Sequence, residues 1–385
     1  MIVLGISETH CATAAILRDG AVVACASEER FTRLKNDAGY PRLAIDACLR
    51  EAGLRPAQID RVALAGRRAY AREWMNRVLH DGDYAREYYG VRLDEPRAGL
   101  GRRARKLGAR LGLIEPARGK FTLSEDERLA LVTGHLGLGS ERIVTLDHHT
   151  CHAAAAYFGA PFDGAPALVL TNDNSGDGLC ATASRAEGTT LERREATPSA
   201  PGSLGSFYSF VTLLLGMKFG EHEYKVMGLA PYAPVSAVER ATAALGEVFG
   251  LEETTPARFA WRKRGARYRL LAEATLGARF DAVAGGAQQI VEDTLLRWAR
   301  LMRERHGGER LALGGGVFMN VKANMLLAAE EWVRELFVFP SCGDESNAIG
   351  AAYLGWLARA GVGATPQPFG PAYLGPSIEI GRAHV

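Results

Sequence analysis

His148 and His152 stand four residues apart in His-His-Thr-Cys-His, at the head of an alanine-rich apolar run, 153–158. On a helix, positions i and i+4 share a face with side chains about 6 Å apart, so the two imidazoles can close on one metal ion. The apolar run 167–171 reads as a buried strand, and it ends in Asp173 and the turn Gly176-Asp177-Gly178. A carboxylate at a strand end beside such a helix start makes three of the four ligands of an open transition-metal site. A plainer use is open to the same residues: His148 as a helix cap, His152 as a core side chain, Asp173 as the cap of its turn. The residue after His148 is not a glutamate, so the pair lacks the base of a zinc protease.

Two further stretches could do chemistry. The strand-like 310–313 runs into Gly314-Gly315-Gly316 and then a helical segment through Asn320. Strand, glycine turn and helix can aim backbone N–H groups at a phosphate. No Lys-Ser/Thr follows, so this is not a P-loop, and glycines needed only for packing fit equally well. Asp344, after Cys342-Gly343, opens another predicted helix, where an aspartate serves as an N-cap without losing the capacity to bind a metal.

The elements that must position these residues read as an α/β chain. Three short apolar runs, 2–6, 12–17 and 21–27, come first, and Asp19-Gly20 between the last two is a hairpin signal. A helix is expected over 41–52, strands over 61–65 and 141–147, and another strand over 180–185. Helices are expected over 203–215, over 236–249 with a Ser236/Glu239 capping box, and over 285–306. A strand at 335–339 and a helix from Cys342 to about Ala360 follow. Residues 66–120 are basic and interleaved with Tyr84, Tyr88 and Tyr89, which fits a solvated helical insertion better than an anion-binding face.

With 385 residues, 47% of them hydrophobic and 23% charged, the chain has globular composition and room for two lobes. A formal net charge of +2 argues against nucleic acid as a partner. Six scattered cysteines without a Cys-x-x-Cys pair fit a reducing compartment. Neither a basic leader nor an apolar run of membrane-spanning length is present, so the expectation is a cytoplasmic enzyme with no membrane partner.

Taken together, several motifs resemble the O-carbamoyltransferases of antibiotic and nodulation-factor biosynthesis, whose catalytic domain is similar to the tRNA threonylcarbamoyl-transferases. They are Glu28-Glu-Arg-Phe-Thr-Arg33 with Asp37, the His148–His152 motif, Asp173 with Gly176-Asp177, Glu223-Tyr-Lys-Val-Met-Gly-Leu-Ala-Pro-Tyr232, Gly314 to Asn320, and Gly343-Asp344. The resemblance implies an actin-like ATPase (ribonuclease H-like) duplicated fold. It implies transfer of a carbamoyl group from carbamoyladenylate, made from carbamoyl phosphate and ATP, to a hydroxyl or amine of a small natural product or sugar. It makes His148, His152, Asp173 and Asp344 the ligands of Fe2+ or another divalent transition metal. Gly176, Glu223, Gly314, Gly315, Gly316 and Asn320 become nucleotide-binding residues, and His10, Asp177 and Lys225 catalytic ones, His10 and Asp177 being the candidate bases. Where many members carry Asp and Ser after the first-turn histidine, this chain has Cys11 and Ala12.

The implied organisation is a first lobe over 1–165 carrying the insertion, a second over 166–363, and a linker over 364–378. That linker leads toward a carbamoyladenylate-forming domain expected in the full-length protein. Residues 379–385 do not continue the family pattern and are expected to be a non-native tail. A tRNA-modifying relative and a non-catalytic ATP-binding fragment are the alternative readings.

Overall fold

The computed structural model describes residues 1–89, 122–361 and 363–376. Residues 90–121 of the basic insertion and the tail 379–385 lie outside the described residues.

Two five-stranded sheets organise the chain, and they repeat one another. The first is built from β1 (Ile2–Ser7), β2 (Thr13–Arg18), β3 (Ala21–Ser27), β4 (Arg61–Ala65) and β5 (Ile143–Leu146), in the order β3-β2-β1-β4-β5. The second contains β6 (Ala167–Gly176), β7 (Leu179–Glu187), β8 (Thr190–Pro198), β9 (Arg310–Gly314) and β10 (Glu335–Val338), ordered β8-β7-β6-β9-β10. In each, the first three strands form antiparallel hairpins and the last two join by parallel crossovers. This repeated topology is the duplicated actin-like arrangement, an α/β fold. The predicted hairpin turns at Asp19 (φ 51°) and Gly20 (φ 85°), left-handed at both positions as a two-residue turn of twisted strands requires.

The helices include α1 (Arg42–Glu51), α2 (His148–Phe158), α3 (Phe280–His306) and α4 (Ser346–Leu357). The helix over Val235–Gly246 starts after Pro234. Its N-cap makes no side-chain bond, so Ser236 lies in the first turn and the expected capping box does not form. Helix α3 begins five residues earlier than its apolar pattern suggested, at Phe280 rather than Gly285.

The two halves exchange helices. Helix α2 follows the first sheet in sequence but packs on β6 and β9 of the second, while α4 follows the second sheet and packs on β1, β2 and β4 of the first. A boundary at 165/166 therefore separates the sheets but not the helices that close them. Where α2 and α4 cross, glycine is obligatory: a Cβ on Gly350 would lie 1.8 Å from the Cys151 carbonyl oxygen. On the other side of α4, a Cβ on Gly5 would meet the Ala348 carbonyl oxygen at 1.8 Å. This near-contact of backbones brings the first turns of α2 and α4 together. All six cysteines are free. No helix among the described residues is long and apolar enough to cross a membrane.

Candidate metal centre

Helix α2 is started by Asp147, whose side chain accepts from Thr150 N at 3.0 Å and pairs with Arg193. His148 is thus the first helical residue, not the cap, and it shares one face with His152 as the spacing predicts. Asp173 comes from the middle of β6, at an irregularity between Asn172 and Gly176 where pairing with β7 is interrupted. The bulge turns its carboxylate out of the ladder. Asp344 precedes α4 by two residues, and the N-cap position belongs to Glu345, so Asp344 does not cap the helix.

These four side chains are buried, and one ligand atom from each lies within 4.8 Å of all the others. His148 Nε2 is 3.3 Å from Asp173 Oδ2 and 3.5 Å from Asp344 Oδ1, and His152 Nε2 is 3.4 Å from Asp344 Oδ1. Asp344 Oδ1 is buried and has no hydrogen-bond partner among the described residues. Buried carboxylate oxygens stay unpaired at high cost unless a cation faces them. Two imidazole nitrogens and two carboxylate oxygens are a donor set for a divalent transition metal.

Electrostatics agree with that donor set. Burial alone would lower the His148 ring, but the Asp344 charge and the Asp173 hydrogen bond hold it at about 9. Burial and the Asp344 charge would raise Asp173, yet the hydrogen bond and charge of His148 keep it ionised, down at about 2. Asp344 is held well below its ordinary value: burial opposes this, and the charges of His10 and His148 outweigh it. In the free protein, protons on histidines supply the positive charge that the carboxylates call for. His149, between the two histidines of the cluster, packs against Thr171 with Nδ1 2.8 Å from its hydroxyl, and burial beside the other rings pushes it down to about 3.

Above the cluster opens a cavity of about 650 Å³ between the two sheets' loops. Asp173, Asp344, His10, Gly316, Asn320 and Glu223 all line it. His10, in the turn after β1, is 38% exposed and places Nδ1 3.2 Å from Asp344 Oδ2. Burial would lower it, but Asp344 raises it to about 9. One wall is aromatic and apolar, with Tyr70, Trp74, Val78, Leu79 and Tyr88; the Tyr70 and Trp74 rings sit 5.4 Å apart and Trp74 and Tyr88 5.6 Å.

The remaining predicted residues divide. Gly316 borders the cavity, and its N–H points to Asp173 Oδ1 at 3.3 Å. Gly314 and Gly315 are outside the lining and serve packing: a Cβ on Gly314 would meet His152 O at 2.8 Å and one on Gly315 (φ 98°) Asn172 O at 2.4 Å. Gly176 packs against the His148 ring, where a Cβ would come within 2.0 Å of the ring, so its lack of a side chain leaves room for the imidazole. Asn320 caps the following helix through Ala323 N and exchanges hydrogen bonds with Gln288. Glu223 accepts from Ser209 Oγ at 2.9 Å and Gly220 N at 2.8 Å.

Neither Asp177 nor Lys225 lines the cavity. Both oxygens of Asp177 are taken by backbone amides, of Arg67, Arg68 and His148, at 2.8–3.1 Å. That carboxylate ties the first sheet's loop to the start of α2 and is no free base. Lys225 is exposed and outside the cavity lining, its ammonium 5.8 Å from the Tyr224 ring centre. The reason is helical phase: Glu223 faces inward from the helix Glu223–Leu229, and two positions later the side chain has turned about 200° away. Glu345, on the cavity wall with Oε1 2.5 Å from Ser341 Oγ, was not singled out by the sequence reading; nor were Ser346 and Asn347 behind the histidines.

Comparison with known proteins places the chain by sequence. The carbamoyltransferase N-terminus family matches residues 2–353. An uncharacterized protein, sll1178, of Synechocystis sp. is 31% identical over 97% of this chain and 60% of its own length. The nodulation protein NolNO of Sinorhizobium fredii is 27% identical over 97% of this chain and 50% of its own. The chain thus spans between half and three fifths of the length of these relatives. Among solved structures, the (R)-2-hydroxyglutaryl-CoA dehydratase component A of Acidaminococcus fermentans overlays with a TM-score of 0.48 at 15% identity, covering 93% of this chain and all of that one.

Proposed function

We propose that this chain, which belongs to the carbamoyltransferase family, transfers a carbamoyl group from carbamoyladenylate to a hydroxyl or amine of a small acceptor. The observation that carries the reading is the convergence of His148, His152, Asp173 and Asp344 at the base of a cavity of about 650 Å³. That volume lies within the usual range for small-molecule sites.

In this reading the four residues hold Fe2+ or another divalent transition metal. Bound there, the ion supplies Lewis acidity to the carbamoyl carbonyl. Gly316 and Asn320 border the nucleotide, and the wall of Tyr70, Trp74 and Tyr88 receives the acceptor. The acceptor oxygen or nitrogen attacks the carbamoyl carbon, the bond from that carbon to the phosphate oxygen breaks, and AMP leaves. His10 is the base that accepts the acceptor's proton: a cation on Asp344 would offset the charge that holds this ring protonated and free it for that role. Its Nδ1 is anchored to Asp344, which leaves Nε2 to face the cavity. Asp177 takes no proton and instead keeps the start of α2 in place. Formation of carbamoyladenylate from carbamoyl phosphate and ATP falls to the part of the longer relatives that the match does not cover.

The test is reconstitution. The chain is mixed with the separately expressed remaining part of the Synechocystis relative, labelled carbamoyl phosphate, ATP, Fe2+ and a panel of sugar and amino alcohols. Metal-dependent release of AMP with label on an acceptor is expected. Carbamoyladenylate that accumulates and decays at the same rate with and without this chain would overturn the proposal.

A further inference from the structure

Resting on that metal reading, a second question is what aims the two histidines. Both direct Nε2 into the cluster, 3.1 Å apart. A ring that gives Nε2 to a metal carries its hydrogen on Nδ1, and that hydrogen needs an acceptor if the ring is to stay in one tautomer and one orientation.

At His152 the neighbour of Nδ1 is Ser346 Oγ, 3.2 Å away. The same hydroxyl donates to Gly343 O at 2.8 Å, so it turns a lone pair toward the ring. At His148 the neighbour of Nδ1 is the side-chain amide of Asn347, at 3.4 Å. Asn347 is wholly buried, and the end of its amide assigned as Oδ1 has no partner among the described residues, while the end assigned as Nδ2 also lies 3.2 Å from His152 Nε2. Oxygen and nitrogen of an amide are told apart by their hydrogen bonds, not by shape. With hydrogen on His148 Nδ1, an amide nitrogen there would set donor against donor. A half turn of the amide places the oxygen where an acceptor is required; that oxygen then also faces His152 Nε2, a contact that is acceptable only with the Nε2 lone pair engaged by a cation.

We propose that Ser346 and Asn347, the first two residues of α4, are positioning residues that accept the Nδ1 hydrogens of His152 and His148 and so fix both rings with Nε2 toward the metal. One short segment, 344–347, then supplies a metal ligand and both groups that orient the other element's histidines. The close crossing of α2 and α4 at Gly350 is what makes this reach possible.

Cobalt(II) is the probe, titrated into the full chain and followed by calorimetry and by its visible absorption bands. Asn347→Leu keeps the size and removes the acceptor; it is expected to weaken cobalt binding about 10- to 100-fold and to change the band shape. Ser346→Ala is expected to weaken it in the same sense. Asn347→Asp restores an acceptor and is expected to bind at least as tightly as the wild type with a wild-type spectrum. Wild-type affinity and spectrum in folded Asn347→Leu and in Ser346→Ala would overturn the proposal. If Asn347→Leu does not fold, the pair Ser346→Ala and Asn347→Asp decides: wild-type binding in the first, or lost binding in the second, overturns it. A wild-type chain that binds no cobalt removes the metal reading itself, a result distinct from any of these.

Discussion

His148 Nε2 and His152 Nε2 face each other at 3.1 Å in a buried site, with the Asp344 carboxylate 3.5 Å from the first and 3.4 Å from the second. Two rings cannot both direct a hydrogen into that gap, so at least one lone pair there must meet either a shared proton or a cation. The same constraint makes the pair a binding unit: losing one ring leaves the other with carboxylates alone. His148→Ala combined with His152→Ala is therefore expected to reduce bound divalent metal from about one ion per chain to none by metal analysis, with the fold kept. Full metal content in that double variant would remove the site.

Metal uptake should depend on pH with a defined sign. In the metal-free chain His148 sits at about 9, raised by Asp344 and Asp173 above the ordinary 6.5 of histidine despite its burial. Below pH 9 the ring must shed a proton to bind metal, so affinity is expected to rise up to tenfold per pH unit from 7 and to level off above 9. Calorimetry in buffers of different ionisation enthalpy should show at least part of a proton released at pH 7. The corresponding stability runs the other way. A folded value above the unfolded one means that His148 stabilises the metal-free chain below about pH 6.5, and that this contribution fades as pH climbs through 9. Flat metal affinity from pH 7 to 9 would contradict the protonation pattern.

How much of this was legible in the chain itself differs by residue. The shared face of His148 and His152 on α2 could be read because spacing within one helix is local, and the two are one turn apart. Asp173 lay at the end of an apolar run, which is also a local signal. Asp344 carried only the resemblance, since its distance from the histidines is settled by the exchange of α2 and α4 between sheets, which no window of sequence encodes. The exposure of Lys225 could not be read because a motif string hides helical phase, nor the surroundings of Asp177, because a carboxylate in a turn looks the same whether it meets solvent or three backbone amides. Ser346 and Asn347 gave no signal; small polar residues at a helix start are ordinary caps unless a partner element is known to cross there.

The cap of α2 is the next point at which the site can be weakened without touching a ligand. Asp147 accepts from Thr150 N and from Thr150 Oγ1, each at 3.0 Å, and pairs with Arg193. Burial would raise its carboxyl, but the Arg193 and Thr150 hydrogen bonds hold it at about 2. Asp147→Ala is expected to lower stability by about 1–2 kcal/mol in chemical denaturation, as for other lost N-caps. Because the folded value is below the unfolded one, the wild-type advantage is complete above about pH 4 and disappears as pH falls toward 2. A cost that persists unchanged at pH 2 would mean that the loss is packing, not the cap.

Glu8, two residues before His10, and Arg128 form a second buried ion pair, with Arg128 Nε donating to Glu8 Oε2 at 2.7 Å. Burial still holds the Glu8 carboxyl above its ordinary value even though Arg128 opposes it. Arg128→Met is expected to cost about 3–5 kcal/mol, because an uncompensated carboxylate is left inside. The double change Glu8→Gln with Arg128→Met should recover part of that loss. If Arg128→Met alone is neutral, the pair contributes nothing to holding the first turn.

Backbone contact between α2 and α4 is the feature on which the cluster's geometry depends, and two glycines separate that claim from a general effect of changing glycine. Gly350 has no room for a methyl group, with the Cys151 carbonyl oxygen 1.8 Å from the position a Cβ would take. The contact is between two backbones, so no side chain can rotate away, and the helices must part. Gly350→Ala is expected to cost about 3 kcal/mol or more, at the upper end for overpacking. It should also weaken divalent-metal binding, because Asp344, Ser346 and Asn347 move with α4 while His148 and His152 stay on α2. Gly134 is the contrast: it is exposed within the helix Glu125–Leu136, and an added Cβ there meets nothing within 4 Å. Gly134→Ala should raise stability by about 0.5–1 kcal/mol through helix propensity alone and leave metal affinity unchanged. Denaturation and cobalt titration of both variants test the coupling. If Gly350→Ala binds metal like the wild type, the helix crossing and the metal site are independent, and the register of the four ligands is set by the two sheets instead.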